Sequence, residues 1–303
     1  MLVITGATGH VGSKIAELLL AWNQKVRVVG RNIERLAGLA KQGAEPVAGD
    51  LGDPVFLTRV FSGADAVFVM IPPNYAAKDF RLYQRTVSES IVTAVEKSGV
   101  RYVVDLSSQG AHLPAGTGPI AGLHEHEERL NRLEGVNVLH LRPTYFMENL
   151  LMNIDLIRKA GIMGSAVRGD VRFAMIATKD IADFAAERMA RRDFTGKTVR
   201  DLLGPRDVSL DEAAAAVGAK LGTPGLAYVT FPYEEAEKSM VAMGLTPDLS
   251  RLYVEMSRAL NDGRFAVGIT RTPENTTPTS IEEFAGLFAQ IYHAAVGGKQ
   301  QAA

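Results

Sequence analysis

Cysteine is missing altogether from the 303 residues. That excludes disulfides, thiolate nucleophiles and cysteine-ligated zinc or iron–sulfur centres. An excess of one charge is missing too. The 33 basic and 34 acidic residues leave a formal net charge of −1, whereas a nucleic-acid binder carries a basic stripe or patch. Direct nucleic-acid binding is therefore not expected. Apolar runs such as "IAELLLAW" and "AVFVMIPP" fall far short of the roughly 20 residues that span a bilayer, so no membrane partner is expected either. Strand-like sequence begins at Leu2, which leaves no room for a signal peptide. With the lack of cysteine this fits a cytoplasmic location. No internal repeat is visible. The chain is long enough for one large domain, or for one with a smaller companion.

What is present is alternation. "MLVIT", "KVRVVGR", "EPVAGD", "DAVFVMIPP", "RYVVDLSS" and "VNVLHLRP" read as strands. Between them lie "VGSKIAELLLAW", "IERLAGLAKQG", "PVFLTRVFSG", residues 79–98 and about 122–133, all with helical periodicity. Such a βαβα order, with strands rich in Val, Ile and Leu, predicts an α/β fold: a Rossmann-type doubly wound parallel sheet covered by helices on both faces. Residues 1–150 form its main domain. "VRFAMIATKDIADFAAERMA" and "TVRDLLGP" are expected to return to the sheet, so that about 170–204 and 266–296 rejoin it. Residues 205–265 are expected to form a smaller, mostly helical domain on the substrate side. "TPTSIEEFAGLFAQIYHAA" reads as a helix capped by Thr279 or Ser280, and residues 297–303 as a frayed tail.

The stretch "VITGATGHVG" carries the strongest signal. Three glycines follow a strand and open a helix. Gly6 permits a tight turn, Gly9 lets the backbone approach a pyrophosphate, and Gly12 lets the helix pack on the strand. Thr8, His10 and Val11 complete the turn, whose helix N-terminus offers N–H donors to phosphate. After the second strand stands Arg31, with no acid to hold a ribose 2′-hydroxyl. A planar guanidinium suits the 2′-phosphate of NADP(H), or Arg31 simply opens the next helix in solvent. Asp50 and Leu51, after the third strand, face the adenine, or Asp50 caps the following helix. Ile71 and Pro72, with Pro73 and Asn74, form a loop beside the cofactor.

These residues resemble the short-chain dehydrogenase/reductase superfamily in its atypical, NmrA-like branch. That branch includes quinone-reductase-like and isoflavone-reductase-like enzymes and non-catalytic NADP sensors. Arg31, "GDLGD", "SSQGA", "HEHEERL", "LRPTYFMENL", "ATKDIADFAA" and "TPTSIEEF" extend the likeness over nearly the whole chain. The resemblance implies NADP(H) as cofactor and a cleft lined by the stretch after the sixth strand. It also implies a departure. Where most members carry Tyr-x-x-x-Lys, this chain has His124 and Glu128, and the charge at the second position is reversed.

The candidate catalytic residues follow. Ser107, past the fifth strand, bonds a substrate carbonyl or the nicotinamide carboxamide, or is a turn serine. His124 shares a helix face with Glu128 and is either a proton donor raised by that carboxylate or an exposed residue of an acidic helix start. Tyr145 stacks on a flat acceptor or packs in the core, while Met147 and Met152 read as gap-filling core. "HEHEE" lacks metal-ligand spacing, so no metal is expected. Two functions compete: reduction of a small, flat, electron-poor, quinone-like acceptor by hydride transfer, and a redox sensor acting through a protein partner. A homodimer is compatible with either.

Overall fold

The computed structural model describes the backbone of residues 1–300 and the side chains of residues 1–295. The first half runs β1 (Leu2–Ile4), α1 (His10–Ala21), β2 (Val26–Gly30), α2 (Ala37–Lys41), β3 (Glu45–Ala48), α3 (Pro54–Phe61), β4 (Ala66–Val69), α4 (Phe80–Ser98), β5 (Tyr102–Leu106), α5 (Ile120–Asn131) and β6 (Asn137–Pro143). The second half continues with β7 (Tyr145–Phe146), α6 (Ile154–Ala160), β8 (Ile162–Ser165), β9 (Phe173–Ile176), α7 (Thr178–Arg191), β10 (Lys197–Leu202) and β11 (Asp207–Val208). It closes with α8 (Leu210–Leu221), β12 (Ala227–Thr230), α9 (Tyr233–Ala242), α10 (Pro247–Asn261) and α11 (Ile281–Gln300).

Seven strands form one parallel sheet in the order β10-β6-β5-β4-β1-β2-β3. Strand order reverses between β1 and β4, and the carboxyl ends there make the crevice in which such sheets bind ligands. The strands are apolar on both faces because both are covered. Leu2, Ile4, Val28 and Phe68 point into a core shared with α1 and α7. Val3, Val29, Val67 and Val69 alternate to the other side and meet Phe56, Leu57 and Ile91 of α3 and α4.

Several expectations change here. The helix of "VRFAMIATKDIADFAAERMA" does lie on the main sheet, with Ile181, Ala182, Ala185 and Met189 in its core. Its strand, β9, does not. The edge beside β6 is already held by six residues of β10, and β9 pairs instead with β7 and, antiparallel, with β11. The segment expected to rejoin the sheet at 266–296 does so only around Thr276, which bridges in parallel to Leu203 just past β10; its helix goes elsewhere. Ile281, Phe284, Ala285 and Phe288 lie one helical stripe apart and pack on Ala213, Ala214 and Val217 of α8. This second core also takes in Met147, Leu150, Ile157 and Met163, so the second lobe draws on more than residues 205–265. Ser280, not Thr279, caps α11 by accepting from the Glu283 N–H at 3.1 Å. The expected frayed tail is helical to Gln300, and residues 301–303 lie outside the described residues.

Candidate active site

The glycine turn is assembled from backbone. Gly6 adopts φ +64°, and a Cβ there would press on the Met70 sulfur at 2.9 Å. The Gly9 N–H donates to the Gly6 carbonyl at 3.0 Å. At Gly12 a Cβ would stand 2.5 Å from the Gly6 oxygen, so the absent side chain is what seats α1 against the turn. Gly9 differs: a Cβ there would meet only the Gly6 oxygen, at 3.5 Å, so its outer side is open. No side chain caps α1 and no acid stands in its first turn. The N–H groups of this helix start are left for an anion, and the helix dipole is uncompensated. Thr8 is half-buried, His10 exposed and Val11 buried. Gly30, which the sequence reading missed, admits the Thr8 methyl: a Cβ there would lie 3.1 Å from it. Its signal was a glycine ending the second strand, "VVGRN".

Around the turn converge the ends of β2, β3 and β4. Arg31 is exposed and, among the described residues, forms no ion pair. It and Asp50 lie close enough to Tyr83 to act on its phenol in opposite senses, while burial, the larger influence, pushes that phenol up. The Tyr83 hydroxyl donates to the Pro72 carbonyl at 3.0 Å, tying the loop after β4 to α4. Asp50 does not cap the next helix. Its carboxylate accepts from the Gly52 N–H at 2.9 Å, and Asp53 caps α3. Leu51 and Ile71 are buried beneath.

At the ends of β5 and β6 the site is made of side chains. Ser107, 5% exposed, donates its hydroxyl proton to Glu127. Glu127, 3% exposed, receives Arg142 through both oxygens, with Nε at 2.9 Å. Arg142 loses solvation there, and the Glu127 carboxylate holds its charge. His112 and Asp201 adjoin the pair. Burial pushes the His112 imidazole down, aided by Arg142, and pushes the Asp201 carboxyl up. Glu127, missed in the sequence, is thus the acid that α5 contributes. Glu128 is exposed. His124 is not held by it: its Nδ1–H donates to the Ala111 carbonyl at 2.8 Å, leaving Nε2 as the other ring nitrogen. His126 turns the opposite way, to Ser88 at 2.8 Å and to Asp105 at 3.5 Å.

The second lobe covers this end of the sheet. Thr246 donates from its N–H to the Tyr75 carbonyl and from its hydroxyl to Ala77, at 3.2 and 2.9 Å, and Asp248 accepts from the Phe80 N–H. Arg264 donates to the Gly116 carbonyl at 2.9 Å. Tyr145 is partly buried, its ring 5.3 Å from that of Phe173. Burial pushes its phenol up, with Tyr228 adding, so it is a weaker acid than a free tyrosine. Met147 is core, but Met152 is 71% exposed. A cavity of about 140 Å³ opens between the lobes beside Gln109. A larger depression, about 600 Å³, lies at Trp22 and Phe184, at the far end of α1 and roughly 18 Å from the turn at 1.5 Å per residue. None of the residues above lines it.

A model of the NAD(P)H-binding family matches residues 6–192. The NAD(P)H azoreductase of Xenophilus azovorans is 28% identical over 98% of this chain and 99% of its own. The crystal structure of an NADPH-dependent quinone oxidoreductase from Escherichia coli, complexed with NADPH, has a TM-score of 0.79 at 22% identity, covering 95% of this chain and 99% of that one. NmrA, a negative transcriptional regulator in complex with NADP, reaches 0.74 at 13% identity over 98% and 97%. These two likenesses are of fold.

Proposed function

Because the chain belongs to the NAD(P)H-binding family, we propose that it is an NADPH-dependent reductase of small, flat, electron-poor acceptors of the quinone type. The residues at the turn fit a dinucleotide: Gly9 is open, α1 is uncapped, and Arg31 is free of any acid partner among the described residues. The open helix start would hold the pyrophosphate, Arg31 the 2′-phosphate, and Asp50 with Leu51 the adenine side. When bound, NADPH supplies a hydride that, with one proton from solvent, takes a quinone to its hydroquinone and leaves NADP⁺. The Ser107 hydroxyl is committed as a donor to Glu127, so towards a ligand its oxygen accepts; it can hold the carboxamide N–H while Glu127 keeps the hydroxyl proton from the acceptor.

The observation that carries the reading is the absent acid. Glu128 stands in solvent, His124 is fastened by one nitrogen, and Tyr145 is weakened as an acid. Such a site suits an acceptor that takes hydride without strong protonation. The azoreductase and quinone oxidoreductase names of the relatives support this. A sensor is the competing reading, favoured by the shared fold of NmrA.

The test is NADPH oxidation by the purified protein against quinones, enones, aldehydes and imines. Quinones are expected to turn over. His124→Phe should keep most of that rate; a loss of about 10²- to 10⁴-fold with quinones would make His124 the proton donor and remove the absent acid from the reading. Silence with every acceptor would overturn the reductase in favour of the sensor.

A further inference from the structure

Ser107 and Ser108 are followed by a residue that neither the turn nor the buried ion pair uses. Gln109 is 7% exposed. Its backbone is spent: the N–H donates to the Pro143 carbonyl at 2.9 Å, and its carbonyl accepts the Ser108 hydroxyl at 3.0 Å. Its side-chain amide has no hydrogen-bond partner among the described residues, and Gln109 lines the cavity of about 140 Å³ between the lobes. The amide is not sealed off: it reaches the open cavity, with its N–H groups and its oxygen free to bond what enters.

The rest of the lining is mostly apolar, and its charged residues are paired. Phe173, Leu260 and Phe265 form the walls, each 9% exposed or less. The Phe265 ring closes directly on the loop that carries Gln109. Gly110 has φ +92°, and a Cβ there would fall 2.8 Å from the ring. Among the other lining residues Arg271 bonds Asp207 and Arg172 bonds Glu212, so each guanidinium already has a carboxylate partner. The size is informative. An apolar cavity of about 150 Å³ takes up a benzene ring, so this one matches a single six-membered ring and not a fused system.

We propose that this cavity is the acceptor subsite, that it selects an uncharged single ring, and that the Gln109 amide anchors the ring's carbonyl oxygen. This rests on the reductase reading above and adds to it a substrate class and a specificity residue. The anchor is a donor the acceptor uses in binding, so its loss should appear in KM more than in kcat.

Three acceptors of increasing width test it: para-benzoquinone, naphthoquinone and phenanthrenequinone. With the wild-type chain, kcat/KM should fall by about 10-fold or more from the first to the last, within the range that a pocket misfit gives. Gln109→Met preserves length and removes the amide. It should raise KM for para-benzoquinone roughly 3- to 10-fold, the worth of one neutral hydrogen bond, leaving kcat and NADPH affinity as they are. Leu260→Ala should shift the preference towards naphthoquinone. Equal kcat/KM across the three acceptors, or an unchanged KM in Gln109→Met, overturns the subsite. If no quinone is reduced at all, the reductase reading fails and the cavity is tested by itself. Benzamide, an inert single ring with a carbonyl, is then titrated by ligand-observed NMR in the presence of NADP⁺. Binding that weakens in Gln109→Met supports the subsite, and absence of binding overturns it.

Discussion

The two ends of the crevice are made from different materials. The β1 end is built of backbone: a left-handed glycine, a helix start without a cap, and missing Cβ atoms that let one segment rest on another. The β5 and β6 end is built of side chains in mutual contact, with Ser107, Glu127 and Arg142 drawn from two strand ends and a helix. The first kind is contiguous in the chain and tolerates no side chain at a few points. The second is dispersed and tolerates no loss of a partner. Substitutions should therefore fail in different ways at the two ends, by blocked binding in one and by lost stability in the other.

The largest effect should come from Gly9→Val. The backbone there, at φ −98°, accepts any residue, so the variant should fold with an unaltered circular dichroism spectrum while NADPH binding disappears from a fluorescence titration. Gly12→Ala sharpens the contrast. Its Cβ would meet backbone at 2.5 Å, so thermal stability should fall along with binding. Normal NADPH affinity in folded Gly9→Val would remove the turn from the site.

Next is Glu127→Ala. It strands a half-buried guanidinium and a buried hydroxyl, a loss of about 3 kcal/mol, the low end for a broken buried pair because Arg142 keeps some solvent, read by urea denaturation. Its neighbour Glu128→Ala should leave the urea midpoint where it was. Equal effects at the two positions would break the distinction between the ends.

Arg31→Ala returns to the binding end with a smaller effect. A charge-assisted contact of about 1.5–3 kcal/mol weakens NADPH roughly 10- to 100-fold and leaves NADH almost unmoved. Equal weakening of both, by titration, would deny Arg31 the 2′-phosphate.

The smallest effect is one of pH and belongs to the side-chain end. Burial holds the His126 imidazole below the ordinary histidine value, with Asp105 opposing, and His112 leans the same way. As pH falls the unfolded chain therefore takes up the proton first. Stability is full above the ordinary value and is lost as pH drops through it towards the depressed one. Melting temperatures from roughly pH 8 to 5 should show this slope, and His126→Gln should flatten it.

The same contrast decided what could be read in the chain. The turn was legible because its chemistry is consecutive, and the sheet because buried parallel strands leave apolar runs with helical periods between them. Glu127 was passed over for Glu128, although a signal existed: Ile120, Leu123, Glu127 and Leu130 follow the helical period, which puts Glu127 on the covered face. The partner of β9 had no such signal. Alternation marks a strand but does not say which edge is vacant, and here β10, later in sequence, takes the edge beside β6.

That late arrival, together with α7, bears on how the chain can be made and cut. The core beneath β1 and α1 is completed by Ile181, Ala185 and Met189, all of them beyond residue 177. During synthesis the cofactor-binding half therefore emerges with one face of its sheet covered only in part, by α1, and one edge unpaired, and it stays so until residue 202 has cleared the ribosome. A fragment ending near residue 150 contains every glycine of the turn and the whole of "LRP", yet it presents apolar surface and strand edge to its own kind. The two lobes are spliced rather than strung in series, and truncation between them should yield aggregate instead of a working binding domain.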